Sequence, residues 1–325
     1  MRTGILYLKT QELVLISELR VRTYPQFNRS FPLIGGEGLR HRGLTWGNYN
    51  AAMRLQPLGR CFLPVFFCVT FSAWAGVCND LSRVLPSVSL SQCEAADLRD
   101  MQARSVQGRA LLGRDVVPAA ADLRILVLGG IHGDEMSSSA LVFNWIPLAL
   151  KAQDDAGHTI QWRFIPVLNP DGLLAKPARR MNANGVDLNR NFPTPDWNRD
   201  ARAYWEKRTR RDPRRWPGNK PLSEPESRFL LQQMESFKPN LIVSVHAPYG
   251  LLDFDGPEAP PRKLGRLFLD QVGIYPGSLG NYSGVHKHVP VVTIELPNAA
   301  RTPSQVEISG MWSDLLAWVD AHLQP

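Results

Sequence analysis

Leu126-Val-Leu-Gly-Gly-Ile-His-Gly-Asp-Glu135 is an apolar run that ends in two glycines and then sets His132 and Glu135 three residues apart. Imidazole and carboxylate are two of the three side-chain types that bind zinc, and a catalytic zinc keeps three protein ligands and one open position. Two ligands at this spacing can reach one metal from a single loop, so a third ligand and a base must come from elsewhere. Taken alone, a His-x-x-Glu pair is also an ordinary hydrogen-bonded loop feature. Ser244-Val-His246 supplies a further imidazole just after the apolar run Leu241–Val245 and completes a His₂Glu set. The competing histidines sit in polar turns or loops (His158, His286, His288) or near the end of the last helix (His322), where a favourable dipole interaction suffices.

Glu295 lies inside Val291-Val-Thr-Ile-Glu-Leu-Pro297. A glutamate in so apolar a run is costly to bury unless it is paired or functional. Burial also raises its pKa, which suits a general base near neutral pH. An edge-strand residue facing water is the alternative. The second dense motif is Asn182-Ala-Asn-Gly-Val-Asp-Leu-Asn-Arg-Asn-Phe-Pro193. Within it Asn189 and Arg190 set an amide beside a guanidinium, a good pair for gripping a carboxylate. Arg180, just upstream, is placed to face a developing oxyanion. For any one of these arginines a surface salt bridge is the plainer reading.

The elements that must position these residues alternate. Leu123–Leu128, Ile160–Leu168, Leu241–Val245 and Val289–Glu295 read as buried strands. Met136–Lys151, Ser223–Phe237 and Pro303–Leu323 read as helices, the second opened by a capping box, Ser223-Glu-Pro-Glu226. Residues 105–113 read as a hairpin or edge strand. The pattern implies an α/β fold, one catalytic domain over residues 121–325 with a mixed, mostly parallel sheet flanked by helices. Sites in such sheets form at the C-terminal ends of strands, and His132, His246 and Glu295 all sit at or just past such an end.

The chain has 325 residues and a net charge of +7, which raises the question of nucleic acid. Residues 1–75 hold nine Lys/Arg against three Asp/Glu, whereas residues 76–325 hold 28 against 27. The excess therefore belongs to the N-terminus, and no nucleic-acid partner is expected. Residues 53–75 have the plan of a secretory signal peptide: a basic start from Met53, an apolar core at Cys61–Phe71 and an Ala-x-Ala site ending at Ala75. Residues 1–52 then read as an over-extended start or an extension. Export to the periplasm or medium is expected, with no stable membrane insertion after cleavage; without the leader the location would be cytoplasmic. Residues 76–120 form a lead-in, and Cys78 and Cys93 are expected to pair there in an oxidising compartment. The Arg- and Trp-rich stretch 198–220 reads as a loop, either a solvated excursion or an electropositive rim.

His-Gly-Asp-Glu, Gly-Val-Asp-Leu-Asn-Arg-Asn-Phe-Pro, Ser-Val-His and Thr-Ile-Glu-Leu, in this order, resemble the zinc carboxypeptidase family over residues 105–320. Within that family the Asn182–Pro193 stretch, Gly218-Asn-Lys-Pro-Leu-Ser-Glu-Pro-Glu226 and Pro276-Gly-Ser-Leu-Gly280 look most like bacterial amidases of murein peptides. Those enzymes cut between γ-D-glutamate and meso-diaminopimelate. The resemblance implies one Zn²⁺ per chain on His132, Glu135 and His246, with Glu295 as general base. It matches Arg180, or its neighbour Arg179, to the arginine that polarises the scissile carbonyl. Asn189 and Arg190 match the pair that binds the leaving residue's carboxylate. Tyr275, with Tyr282 as rival, stands nearest to the family's substrate-capping tyrosine, and Leu279 offers a pocket lining. The implied substrate is a peptide or murein peptide. A general metallocarboxypeptidase, a deacylase of N-acyl amino acids like the aspartoacylases, and a non-catalytic wall-binding module are the competing readings.

Overall fold

The computed structural model describes residues 71–85, 87–152 and 159–323, all within one compact unit. The expected extension, most of the expected leader and His158 lie outside them. Two helices lead in, α1 (Phe71–Val84) and α2 (Leu90–Ala95). Strands β1 (Arg99–Arg104) and β2 (Ala110–Val116) form the expected hairpin. Then β3 (Leu123–Leu128), α3 (Met136–Ala152), β4 (Ile160–Ile165) and the short α4 (Pro170–Leu173) alternate. Next come α5 (Trp197–Lys207), α6 (Pro225–Phe237), β5 (Leu241–His246) and β6 (Leu251–Asp255). A two-residue pair, β7 (Lys263–Leu264) and β8 (Leu267–Phe268), precedes β9 (Val291–Glu295) and α7 (Gln305–His322).

Seven strands form one sheet in the order β1-β2-β4-β3-β5-β9-β6. The inner four, β4, β3, β5 and β9, are parallel, and the flanking pairings are antiparallel. Both faces are covered, as inner parallel strands require. Ile125 and Val127 point into one core with residues of α3 and α7, while Leu126 and Leu128 point into the other with residues of α6. This two-sided burial explains why the strands read as continuous apolar runs.

Local chemistry sets the boundaries where the expectation differs. α6 does not open with a capping box. Glu224 is its N-cap with no side-chain bond, and Pro225 takes the first helical position. Glu226 turns away to accept from Asn182 Nδ2 (3.0 Å) and from the Val106 N–H (3.0 Å). The capping box forms instead at α7, between Ser304 and Glu307. The stretch 198–220 is not simply a loop, because residues up to Lys207 belong to α5 and residues 213–215 form a 3₁₀ turn.

Cys78 of α1 and Cys93 of α2 are joined by a disulfide across a separation of 15 residues. The helical backbone of α1 runs through the expected cleavage point after Ala75. Among the described residues no helix is long and apolar enough to cross a membrane. Loop-closure entropy for a link of this span stabilises by about 3 kcal/mol. Reductant is therefore expected to lower the urea midpoint of the protein by that free energy divided by the unfolding m-value; equal midpoints with and without reductant would show that the link adds nothing.

Candidate metal centre and active site

β3 ends at Leu128, and the chain turns away through Gly129 and Gly130, the latter with φ of +59°. His132 and Glu135 follow in this turn and are buried. Between them Gly133 packs so closely on the backbone of Gly172 and Leu173 that a Cβ would overlap it. β5, the parallel neighbour of β3, ends in His246. The three side chains converge. His132 Nδ1 lies 2.8 Å from Glu135 Oε1, and His246 Nδ1 lies 3.1 Å from Glu135 Oε2 and 3.2 Å from His132 Nδ1. One ligand atom from each lies within 4.8 Å of the others.

The outer partners fit a shared cation. His132 Nε2–H donates to Asp187 Oδ1 at 3.0 Å, which leaves Nδ1 as a lone pair facing the other ligands. Ser244 Oγ sits 3.1 Å from His246 Nε2, and the Ala247 N–H donates to Glu135 Oε2 at 3.2 Å. Two imidazoles and a carboxylate are a donor set suited to zinc.

Asp187 is the residue that the sequence reading missed. It is fully buried and also accepts from Arg180 Nε (3.1 Å), Arg180 Nη2 (3.0 Å) and the Asn189 N–H (3.1 Å). Burial works to raise its pKa, but Arg180 and His132 outweigh it and hold the carboxyl well below the usual range. A signal was present: like Glu295, Asp187 is an acid flanked by aliphatic residues, Val186 and Leu188.

Arg180 also reaches Glu135 Oε1 at 3.3 Å and lines the cavity, whereas Arg179 is exposed. Glu295 closes β9 and lies directly beside His246 in the β5–β9 register. It is 6% exposed, its Oε2 has no hydrogen-bond partner, and burial above all raises its pKa. These residues share a cavity of 260 Å³ with Asn189, Arg190 and Tyr275. The carboxamide oxygen of Asn189 accepts from the Leu279 N–H at 2.8 Å, which leaves its NH₂ as a donor. Arg190 is 6% exposed, and its Nε lacks a partner.

The Tyr275 ring lies under Arg190, with the guanidinium carbon 4.4 Å from the ring centre, and its hydroxyl donates to the Val272 carbonyl at 2.5 Å. Tyr282 does not line the cavity; it is buried and stacks on Phe192 at 6.0 Å. Leu279 is likewise a core residue, and its neighbours Ser278 and Gly280 line the cavity instead. The Arg-rich stretch reaches the rim: Arg214 pairs with Asp134 at 2.8 Å, and Arg215 lines the cavity.

Comparison with known proteins agrees with this geometry. Residues 95–252 match the zinc carboxypeptidase family. Murein peptide amidase A of Escherichia coli (strain K12) is 31% identical over 222 residues, which cover 65% of this chain and 88% of that protein. The chain belongs to the zinc carboxypeptidase family. Murein peptide amidase A of Vibrio campbellii (strain ATCC BAA-1116) is 32% identical over 201 residues, 58% of this chain and 77% of that protein. Among solved structures, carboxypeptidase A from Helicoverpa armigera shares the fold, with a TM-score of 0.52 at 16% identity over 74% of this chain and 69% of that one. This member of the family is a metallopeptidase or amidase, and its cofactor is zinc, for which His132, Glu135 and His246 form a fitting set.

Asp187→Asn removes the anion that holds His132 in its ligating tautomer. Outer-shell losses of this kind weaken metal binding about 10- to 100-fold. Competition with a zinc chelator is expected to show that drop; an unchanged affinity would mean that His132 is oriented without Asp187.

Proposed function

We propose that this enzyme hydrolyses the amide bond between γ-D-glutamate and meso-diaminopimelate in murein peptides. The observation that carries the reading is one cavity holding the His₂Glu set, a buried glutamate with one free carboxylate oxygen and a buried guanidinium with a free donor. Relatives named murein peptide amidase A, at 31% and 32% identity, support the choice of bond.

On this proposal Asn189 and Arg190 bind the free carboxylate of the leaving residue, with Tyr275 supporting the guanidinium from below. His132, Glu135 and His246 would hold the zinc, which when bound would supply Lewis-acid polarisation of the scissile carbonyl and a water of lowered pKa. Glu295 takes the proton of the attacking water on its free Oε2 and passes it to the leaving amine. Its raised pKa makes it a stronger base than an exposed glutamate. Arg180 donates to the oxyanion while Asp187 holds its side chain in place; loss of one such donor typically costs about 10²–10³ in rate. The leader expected at residues 53–75, together with the Cys78–Cys93 link, supports work outside the cytoplasm.

Incubation with the wall tripeptide L-Ala-γ-D-Glu-meso-diaminopimelate, read by mass spectrometry, is expected to release diaminopimelate. A zinc-loaded protein that leaves the tripeptide whole would sink the proposal. Glu295→Gln is expected to keep one zinc per chain by elemental analysis and to lose turnover; hydrolysis at the wild-type rate would mean the base lies elsewhere. Arg190→Lys gives up the planar two-donor grip on a carboxylate, and kcat/KM should fall about 10- to 100-fold.

A further inference from the structure

Beyond the N-terminus, positive charge is gathered in one segment. Residues 198–220 hold nine Lys/Arg against three Asp/Glu, whereas the rest of residues 76–325 hold 19 against 24. A basic segment thus stands on an otherwise acidic body. It runs along α5, turns at residues 208–211 and returns through the 3₁₀ turn at 213–215. The return limb joins the active site. Asp212, Arg214 and Arg215 line the cavity, and the Trp216 carbonyl accepts the Asp187 N–H at 2.8 Å.

The turn between the limbs is held in shape. Arg210 and Arg211 both have positive φ, +55° and +60°. A residue with a Cβ is disfavoured there, and two in succession persist only where the surroundings impose them. Here the surroundings do so. The Arg211 N–H and the Thr209 hydroxyl both donate to the Trp205 carbonyl, at 3.0 and 2.5 Å. The Trp205 indole N–H donates to the Asp212 carbonyl at 2.7 Å. Trp205 and Trp216 meet edge to face at 4.5 Å and tie the two limbs together. Positions that glycine would fill without strain are therefore occupied by arginines.

The inner arginines of the segment are paired: Arg211 lies 3.6 Å from Glu206, Arg214 2.8 Å from Asp134 and Arg215 3.5 Å from Asp212. Lys207, Arg208 and Arg210 differ. They are exposed, and their side chains have no ion pair or hydrogen bond among the described residues. A solvated cation needs no partner, so exposure alone says little. These three are fixed by a strained turn, on a segment whose next residues wall the cavity. Like charges held together repel, and a polyanion relieves that repulsion.

We infer that this tip docks the enzyme on polymeric murein, through the free carboxylates that its peptide stems repeat along the glycan. Docking directs the active site to stems still attached to the wall. The identity of the polymer rests on the proposed reaction; the contact itself is separate from the catalytic residues. A stem attached at its acyl end keeps its terminal carboxylate free for Arg190, so attachment and cleavage are compatible.

Sedimentation of the zinc-loaded protein with purified sacculi reads the contact. Release of diaminopimelate from tripeptide-stem sacculi, and from the free tripeptide, reads its use. The protein is expected to pellet with sacculi and to be released as salt screens the charges. A triple variant, Lys207→Ala with Arg208→Ala and Arg210→Ala, should bind sacculi about tenfold more weakly, since three exposed charge pairs are lost. It should also cut sacculi more slowly, with kcat on the free tripeptide and zinc content unchanged. The charge-keeping variant, Arg208→Lys with Arg210→Lys, should bind as the wild type does. Undiminished binding by the triple variant, or equal loss on sacculi and free tripeptide, overturns the inference. So does pelleting with phosphatidylglycerol vesicles but not with sacculi, which would make the partner a membrane. Charge-dependent binding to sacculi without cleavage of any tripeptide upholds the docking while removing the proposed reaction. Cleavage of the free tripeptide with no binding to sacculi does the reverse.

Discussion

The parallel pairing of β5 with β3 on one side and β9 on the other is the constraint from which the active site follows. It sets Leu128 beside Ser244 and His246 beside Glu295. Two ligand-bearing ends and a basic carboxylate thereby arrive at one edge of the sheet. A slip of one residue in β9 would turn Glu295 into the opposite core, among the side chains of α3 and α7. The apolar packing on both sheet faces makes such a slip costly, so core burial and site geometry are enforced by the same contacts.

Around that edge the protein buries an unusual number of charges. Isolated, each would be expensive to hold away from water. They are instead linked: Asp187 takes His132 and Arg180, and Arg180 reaches on to Glu135. Opposite charges alternate along the chain of contacts, which holds Asp187 ionised despite complete burial. Such a network also orients what it satisfies. It leaves Glu295 Oε2 and Arg190 Nε without partners in the same cavity, where the proposed reaction uses them. Two distant segments brace the arrangement. Asn189 is pinned by the Leu279 N–H, and the Arg-rich segment is tied by Arg214 to Asp134, inside the metal loop itself.

Much of this was legible in the chain. The inner strands are runs of aliphatic residues long enough to be buried on both faces, so β3 and β5 read to within one residue of their bounds. His132, Glu135, His246 and Glu295 stood out because polar groups at the ends of such runs need a reason. Two expectations failed, and one residue was missed, for a common cause. The capping box at Ser223 gave way because Glu226 finds a better partner in Asn182, from a segment 44 residues away. Leu279 and Tyr282 sit in the core rather than in the cavity, the first capping and the second within the π-helix Gly280–His286. Asp187 escaped notice because its partners, His132 and Arg180, are assembled only by folding.

The sequence by itself determined the α/β architecture, the zinc-binding residue types and the separate runs that carry them, since periodicity and the rarity of buried charge are local properties. It also singled out Asn189 and Arg190 as the pair the proposed reaction uses to hold a carboxylate. Tertiary structure alone decided which tyrosine meets Arg190, which arginine meets Glu135 and which acids share the cavity with Glu295. Those choices depend on register between strands and on backbone closeness at Gly133, Gly280 and Gly284. Such distances belong to no single stretch of chain; they exist only once the sheet has closed its pairings and the glycines have let the loops in.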